Sequence, residues 1–213
     1  MNNKFLCEGF VYIGSNAGVY EMNEPVYEAI LSRRSIRRFK QTPIKIEILE
    51  QLVNAARLAP SAANLQPLEY VVITDRDICL KIFETLGWAG YITPTWAPDE
   101  TERPVAYIVI LVKTDLNKYY KWDVGLAAEN IMLAAEEKEL GSCMLLNINR
   151  EKVQEILKIP SLFSIDSIIA LGYKAEISIA GDMKDSVRYY RDEQDVLHVP
   201  KRVLKDILHI NRY

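Results

Sequence analysis

The spacing of hydrophobic and polar positions along the chain predicts helices and short strands that interleave. Leu49, Leu52, Val53 and Ala56 recur at helical spacing, which predicts an amphipathic helix over residues ~45–58 that ends before Pro60. Residues 104–113, with VAYIVILV at their centre, predict a strand that is covered on both faces. Further helices are expected near 25–31, 78–86, 123–140, 149–157 and 201–208, and further strands near 70–74, 143–146 and 164–173.

These elements favour an α+β domain with a mixed, mostly antiparallel sheet flanked by helices, because strands and helices alternate without a strict βαβ rhythm. Gly141 is placed to end the long helix, and Asn149 to cap the next one. We expect residues 23–213 to form a single domain and residues 1–22 to be an N-terminal extension without stable order. An aromatic loop follows Leu86.

Overall charge argues against a protein whose whole surface binds nucleic acid or anionic lipid. The 213 residues include 26 Lys and Arg against 29 Asp and Glu, a formal net charge of −3. Three scattered cysteines without CxxC spacing favour a reducing, cytoplasmic compartment, and no apolar run is long enough to predict a membrane span. We therefore expect a cytoplasmic protein with neither a nucleic acid nor a membrane as partner.

The motifs that would support side-chain catalysis or phosphate hydrolysis do not occur. The sequence contains no GxxxxGK[ST], HExxH or GxSxG pattern, and its two histidines, His198 and His209, lie near the C-terminus without a cysteine cluster. We expect no metal site and no catalytic side chain. Any redox or transfer chemistry is then expected to come from a cofactor.

Residues 32–39, SRRSIRRF, concentrate four arginines in an acidic chain. In an extended segment Arg33, Ser35 and Arg37 would point to one side, which could hold an anion such as a cofactor phosphate. A solvated run of charge, or a basic arm that touches nucleic acid, explains the same residues. This stretch by itself leaves these alternatives open.

Four segments in order resemble the nitroreductase family of FMN-dependent oxidoreductases. They are RRSIRRF, then APSAANLQP after the amphipathic helix, then DVGLAAENIMLAAEEKELGSC after the strong strand, and finally a basic segment before VPK. The resemblance covers about residues 24–208. It implies a homodimer with FMN at the subunit interface, and hydride transfer from NAD(P)H through flavin N5 to an electron-poor acceptor such as a nitroaromatic or a quinone, with ping-pong kinetics.

The resemblance also assigns residues to FMN. It implies that Arg33 and Ser35 hold the phosphate with Arg34 beside them, that Arg37 lies near flavin N1 and the C2 carbonyl, and that Asn64 forms hydrogen bonds with the pyrimidine edge. The remaining expected contacts are Ser61 and Gln66 shaping their loop, Met144, Leu145 and Leu146 passing near N5, and a C-terminal basic residue chosen from Lys184, Arg188 and Arg191, with Arg188 favoured before Arg191. Trp88, Tyr91 and Trp96 of the aromatic loop are expected to form a lid over the acceptor.

Two other functions stay open. Families similar to this one include FMN-dependent reductive dehalogenases and flavin-fragmenting enzymes, which would keep the cofactor and change the chemistry. A non-catalytic module that binds an anion or a nucleic acid through RRSIRR would use no flavin, and the overall acidity of the chain argues against it.

Overall fold

The computed structural model describes residues 24–91 and 96–213, so the expected extension at 1–22 lies outside the described residues. The helices are α1 (Pro25–Ser32), α2 (Ile46–Arg57), α3 (Arg76–Phe83), α4 (Tyr120–Glu137) and α5 (Arg150–Leu157). The strands are β1 (Phe39–Lys40), β2 (Leu68–Ile73), β3 (Ala106–Val112), β4 (Leu140–Leu145), β5 (Ser164–Lys174), β6 (Ser178–Asp182), β7 (Tyr190–Arg191) and β8 (Leu197–Lys201). Three short 3-10 turns lie at Ala62–Asn64, Glu100–Glu102 and Leu204–Asp206.

Local sequence explains where several helices begin. Pro25 occupies the first turn of α1, where its missing N–H costs no hydrogen bond. The Asp75 side chain accepts a hydrogen bond from the backbone N–H of Ile78 and so caps α3. Asn149 caps α5 in the same way, through the N–H of Lys152, as the sequence predicts.

One antiparallel sheet forms the centre of the molecule. Its strands run in the order β1-β5-β3-β2, and β4 pairs with the other edge of β5. Helices cover both faces: α3 and α5 pack on one, around side chains such as Ile82 and Val153, and α2 and α4 on the other, around Leu52 and Ile131. Every residue of β3 is buried, which confirms the prediction of a strand covered on both faces.

The prediction that Gly141 ends the long helix is wrong. Helix α4 already ends at Glu137, and Glu139, two residues later, takes the left-handed conformation (φ 59°). Gly141 lies inside β4. A β-carbon on Gly141 would lie 2.7 Å from Cβ of Ile36, so glycine is needed for a close approach between two segments rather than for a turn.

The predicted closing helix near 201–208 is also wrong. Lys201 ends β8, and only the 3-10 turn Leu204–Asp206 follows it. Strands β6, β7 and β8 form a second, small sheet in which β6 and β8 run parallel, so the expected mixture of strand directions arises here and not in the main sheet. Within the described ranges, no helix is both long and apolar enough to cross a membrane.

Candidate functional site

The arginine segment, residues 33–38, follows α1 and lies along the outer edge of β4. Ser35 forms a parallel bridge with Ser142, and the backbone N–H of Ile36 donates to the Ser142 carbonyl at 2.9 Å. Ile36 is buried against Gly141, so it fixes the segment to the sheet. The arginines on either side of Ile36 are thereby held at one edge of the fold, with their side chains partly exposed.

Glu176 fastens this segment to the C-terminal part of the chain. Its carboxylate is 1% exposed and accepts hydrogen bonds from the backbone N–H groups of Arg37 and Arg38, the second at 3.2 Å, and from the guanidinium of Arg191. Arg191 also pairs with Asp195 at 3.3 Å. Arg191, a predicted phosphate ligand, is therefore matched by two carboxylates.

Arg38 is matched in the same way. Its Nε lies 3.2 Å from Glu102 Oε2, and its guanidinium pairs with Asp195. Arg33 has one carboxylate partner, with Nε 3.3 Å from Glu129 Oε1 on α4. These ion pairs position the segment between α4 and the 3-10 turn Glu100–Glu102.

Arg34 and Arg37 are the arginines of this segment without an ion pair to any described residue. Among the described residues, the guanidinium of Arg34 donates only to the carbonyls of Leu31 and Arg33. Burial, followed by the charge of Arg33, lowers the pKa of Arg34 from the ordinary value. The Arg37 guanidinium lies 5.1 Å from the centre of the Tyr189 ring. The Nε atoms of both arginines are buried without a hydrogen-bond acceptor among the described residues, as are those of Arg33, Arg38 and Arg191, so the absence of an ion pair is what distinguishes Arg34 and Arg37.

The loop APSAANLQP, residues 59–67, turns sharply after α2. Ala63, Asn64 and Gln66 all have positive φ values of 48–54°, which L-residues rarely adopt. The loop is held by a hydrogen bond from Gln66 N–H to Ser61 Oγ at 3.0 Å and by one from Gln66 Nε2 to the Asn64 carbonyl at 3.3 Å. Ser61 and Gln66 thus form hydrogen bonds within the loop, and the exposed Asn64 side chain makes no hydrogen bond to a described residue.

Helix α4 ties this loop to the arginine segment. The buried Asp123 accepts from the Ala62 N–H at 3.0 Å and from Asn117 Nδ2 at 2.6 Å, while Glu129 pairs with Arg33. Asp123 and Glu129 are six residues apart, which is about 9 Å along a helix axis.

A cavity of about 150 Å³ lies beside the loop, lined by Ser61, Gln66, Tyr70 and Asp123. Burial raises the pKa of Tyr70 to about 12.

Successive side chains at the end of β4 pack on opposite faces of the sheet, and the next residue is exposed. Met144 packs on the side of α2 and α4, Leu145 is buried on the side of α3 and α5, and Leu146 is 59% exposed. The following residue, Asn147, accepts a hydrogen bond from the N–H of Gly87 at 2.9 Å. The segment after β4 therefore meets the start of the aromatic loop.

The three predicted lid residues separate into two groups. Trp88 is 9% exposed and packs on Phe83 in the core, with ring centres 5.5 Å apart, so we do not include it in the lid. Trp96 lies 5.6 Å from the Arg38 guanidinium and 5.7 Å from that of Arg191. Tyr91 is half exposed.

A chain of aromatic contacts connects Arg188 with the arginine segment. The Arg188 guanidinium lies 5.6 Å from the centre of the Tyr91 ring, and the Tyr91 and Tyr189 rings are 5.1 Å apart. The Arg37 guanidinium lies against the Tyr189 ring. Arg188 has no ion pair with a described residue, whereas Arg191 has two. Lys184 likewise has no ion pair within the described ranges, and no contact places it at the segment.

Sequence reasoning missed Glu176, Asp123 and Tyr189. Glu176 bonds residues 138 and 139 positions away, so no local pattern reveals it. Asp123 lies in the first turn of α4 and reads as an ordinary acidic residue near a helix start. Tyr189 could have been found, because it lies next to the favoured Arg188.

Comparison with known proteins shows the family. The family model described as "Nitroreductase family" matches residues 30–173, so the chain belongs to the nitroreductase family. A proposed NADH dehydrogenase/NAD(P)H nitroreductase from Archaeoglobus fulgidus is 30% identical over 198 residues, covering 89% of this chain and 99% of the relative. The FMN-dependent nitroreductase from Clostridium difficile R20291 is 27% identical, with a TM-score of 0.64, and the match covers 87% of this chain and 98% of that one.

A third relative acts on a different kind of substrate. The iodotyrosine deiodinase from Thermotoga neapolitana is 27% identical over 165 residues, covering 70% of this chain and 88% of the relative. Together these matches confirm the predicted family, the α+β fold and the class of NAD(P)H-dependent oxidoreductase, and the prediction of FMN agrees with the name of the Clostridium difficile enzyme.

Proposed function

We propose that this protein is an FMN-dependent oxidoreductase that takes hydride from NAD(P)H and reduces an electron-poor acceptor, such as a nitroaromatic or a quinone, by a ping-pong mechanism. The observation that carries the proposal is the imbalance of charge at the arginine segment. Arg38 and Arg191 are each matched by two carboxylates, but Arg34, Arg37 and Arg188 have no carboxylate among the described residues. Arg34 and Arg37 are partly buried and Arg188 is exposed, and positive charges without a carboxylate partner at one edge of the fold fit an anionic ligand such as FMN.

Different residues would contact the phosphate and the ring of FMN. Arg33, Arg34 and Ser35 would bind the phosphate, with Arg188 as the C-terminal contributor. Arg191 is better described as a positioning residue, because it is occupied by Glu176 and Asp195. Backbone groups from Met144 to Leu146 would pass along the ring, since the Leu145 side chain itself belongs to the core.

Two polar residues would orient the ring. Arg37 would place a fixed positive charge beside the pyrimidine end, where reduction leaves negative charge. The free amide of Asn64 both donates and accepts, which suits the edge of that ring. When bound, FMN supplies the redox chemistry, accepting hydride from the nicotinamide and passing two electrons to the acceptor. Tyr91 and Trp96 then offer flat surfaces against which an aromatic acceptor could stack.

The proposal is tested by an absorbance spectrum of the purified protein before and after denaturation, with NADH and NADPH added anaerobically. We expect flavin absorption, release of FMN on unfolding and bleaching by a reduced nicotinamide. A colourless protein that neither binds added FMN nor oxidises either nicotinamide would contradict the proposal. The same titration shows which of the two nicotinamides is preferred.

Reductive dehalogenation is a second candidate, favoured by the similarity to the iodotyrosine deiodinase from Thermotoga neapolitana. The two reactions share the cofactor and differ in the product released. Halide release from 3-iodotyrosine under anaerobic reduction, measured by ion chromatography, would favour dehalogenation. Turnover of a quinone without halide release would favour the first candidate.

We further propose that two chains form a homodimer with FMN at the interface. Helix α1 buries none of its residues in the single chain, although half of them are large and apolar. The exposed apolar residues of α1 and α4 are Val26, Tyr27, Ile30, Leu31, Trp122 and Leu126. Light scattering should give about twice the mass of one chain, and Ile30→Glu should lower it. A cytoplasmic location remains a prediction from cysteine use.

A further inference from the structure

A second cavity, of about 510 Å³, lies where β2 ends and β3 begins, on the sheet face covered by α3. Its volume falls within the range of about 300–1,000 Å³ that is usual for small-molecule sites. Its lining combines the apolar side chains of Leu80, Phe83 and Pro104 with the polar side chains of Thr101, Arg103 and Tyr107. None of these residues belongs to the candidate site described above.

The Tyr107 hydroxyl is the main chemical feature of this cavity. Tyr107 is 0% exposed, and its hydroxyl has no hydrogen-bond partner among the described residues. A buried hydroxyl without a partner is unfavourable, so it indicates a group that a ligand could satisfy. The neighbouring thiol of Cys79 is already directed at the carbonyls of Ile73 and Val105, at 3.8 and 3.7 Å. Tyr107 therefore stands as a free polar group in the wall.

Arg103 supplies a second donor. Its Nε atom is buried without an acceptor among the described residues, and its guanidinium lies 4.3 Å from the centre of the Phe83 ring. Gln41 fixes the backbone here by donating to the Arg103 carbonyl at 2.9 Å. The guanidinium and the phenol hydroxyl thus border the same cavity, next to an aromatic surface.

The charges around the cavity favour an anion. Arg76 and Arg103 both line the cavity, and Glu100 is the one acidic residue among the described residues that line it. Glu100 lies 4.0 Å from a terminal nitrogen of Arg103, but its side chain is 86% exposed, so solvent screens it. The described lining therefore carries two positive charges and one negative charge.

We propose that this cavity binds a small aromatic carboxylate. The carboxylate accepts hydrogen bonds from the Tyr107 hydroxyl and from Arg103, and the flat ring packs against Leu80, Phe83 and Pro104. Two hydrogen-bond donors and several apolar side chains in one cavity suit a ligand that has a carboxylate at one end and an apolar ring at the other. Tyr107 packs with α3 and α5, whereas the loop at 59–67 is held by α4 on the opposite face, so this is a separate site.

Benzoate is the probe that tests the proposal. We would titrate it into the purified protein by isothermal calorimetry, and compare wild type with Tyr107→Phe, Arg103→Gln and the control Arg57→Gln, which changes an exposed arginine of α2. The first two changes each remove a donor to a charged acceptor and should raise the dissociation constant by about tenfold or more. The control should leave it unchanged. Absence of binding at about 10 mM benzoate, or equal binding by all variants, would overturn the proposal.

Two further measurements separate this cavity from the candidate site and from a folding defect. Arg37→Gln should bind benzoate as wild type does, and a matching loss in that variant would place benzoate at the arginine segment and overturn the proposal. Without benzoate, Tyr107→Phe should raise the melting temperature, because it removes an unpaired buried hydroxyl. A lower melting temperature would show that the hydroxyl already has a partner, which also overturns the proposal.

Discussion

Arg37 and Arg38 are adjacent in the sequence but differ in their surroundings. Arg38 pairs with Glu102 and Asp195, whereas the Arg37 guanidinium faces the Tyr189 ring and has no carboxylate within the described ranges. These surroundings indicate a structural role for Arg38, and they support the proposal that Arg37 contacts the cofactor.

Arg37→Gln should raise the dissociation constant for FMN by about ten- to a hundredfold, because it removes a charge-assisted hydrogen bond. It should also make the flavin reduction potential more negative by about 30 mV, since reduced flavin loses a stabilising cation. Fluorescence titration and spectroelectrochemistry measure the two effects. Lys152→Gln, which changes an exposed cation of α5, is the control. A potential unchanged in Arg37→Gln would contradict the proposed role.

Glu176 is the single residue on which the geometry of the arginine segment depends most. Glu176→Gln should lower the free energy of unfolding by about 3 kcal/mol, because it breaks a buried ion pair and leaves Arg191 poorly matched. Urea denaturation measures this change. Glu100→Gln, at an exposed pair, should stay within about 0.5 kcal/mol of wild type, and an equal effect of both substitutions would contradict the role given to Glu176.

At the scale of elements, the contact between β4 and the arginine segment depends on Gly141. Gly141→Ala places a methyl group 2.7 Å from Cβ of Ile36, so the segment must move from the strand. We expect a loss of about 1–3 kcal/mol in stability, together with weaker FMN binding. Urea denaturation and FMN titration measure both.

The matched control is Gly181→Ala in β6, where an added methyl group meets nothing within 4 Å. It should leave stability and FMN affinity close to wild type. Loss of stability with unchanged FMN affinity in Gly141→Ala would show that the segment position and the cofactor site are independent.

At the scale of the whole molecule, we expect neutral acids that are buried or partly buried to limit stability at alkaline pH. Burial raises the pKa of Cys79 to about 11 and that of Tyr70 to about 12, and it raises the pKa of Tyr107 as well. In the unfolded chain these groups lose their protons near their ordinary values, about 9 and 10. The unfolded state then binds fewer protons than the folded state, so stability falls as pH rises.

We expect the free energy of unfolding to be steady between about pH 7 and 8.5 and to decrease progressively from about pH 9 to 12. Urea midpoints at several pH values in this range measure the slope. Tyr70→Phe should make the decrease shallower, because it removes one of the titrating groups. A slope unchanged by this substitution would show that Tyr70 does not contribute.

Much of the fold could be predicted from local pattern. The helical spacing at Leu49, Leu52 and Ala56 and the continuous apolar run of β3 produce elements close to those observed, because burial of one face or of both imposes its own period. The cap at Asn149 also follows from local chemistry. The prediction that Gly141 ends the long helix is wrong, because glycine suits a helix end and a close contact between segments equally well.

In the candidate site, too, some features follow from the local sequence and others do not. The sequence by itself determined the family, the core elements and which arginines are present. Only the tertiary structure decided which of them form ion pairs with described residues, because Glu102 and Asp195, the two carboxylates that pair with Arg38, lie 64 and 157 residues from it in the sequence. Charge matching depends on distance in space, and no short-range period in the sequence encodes it.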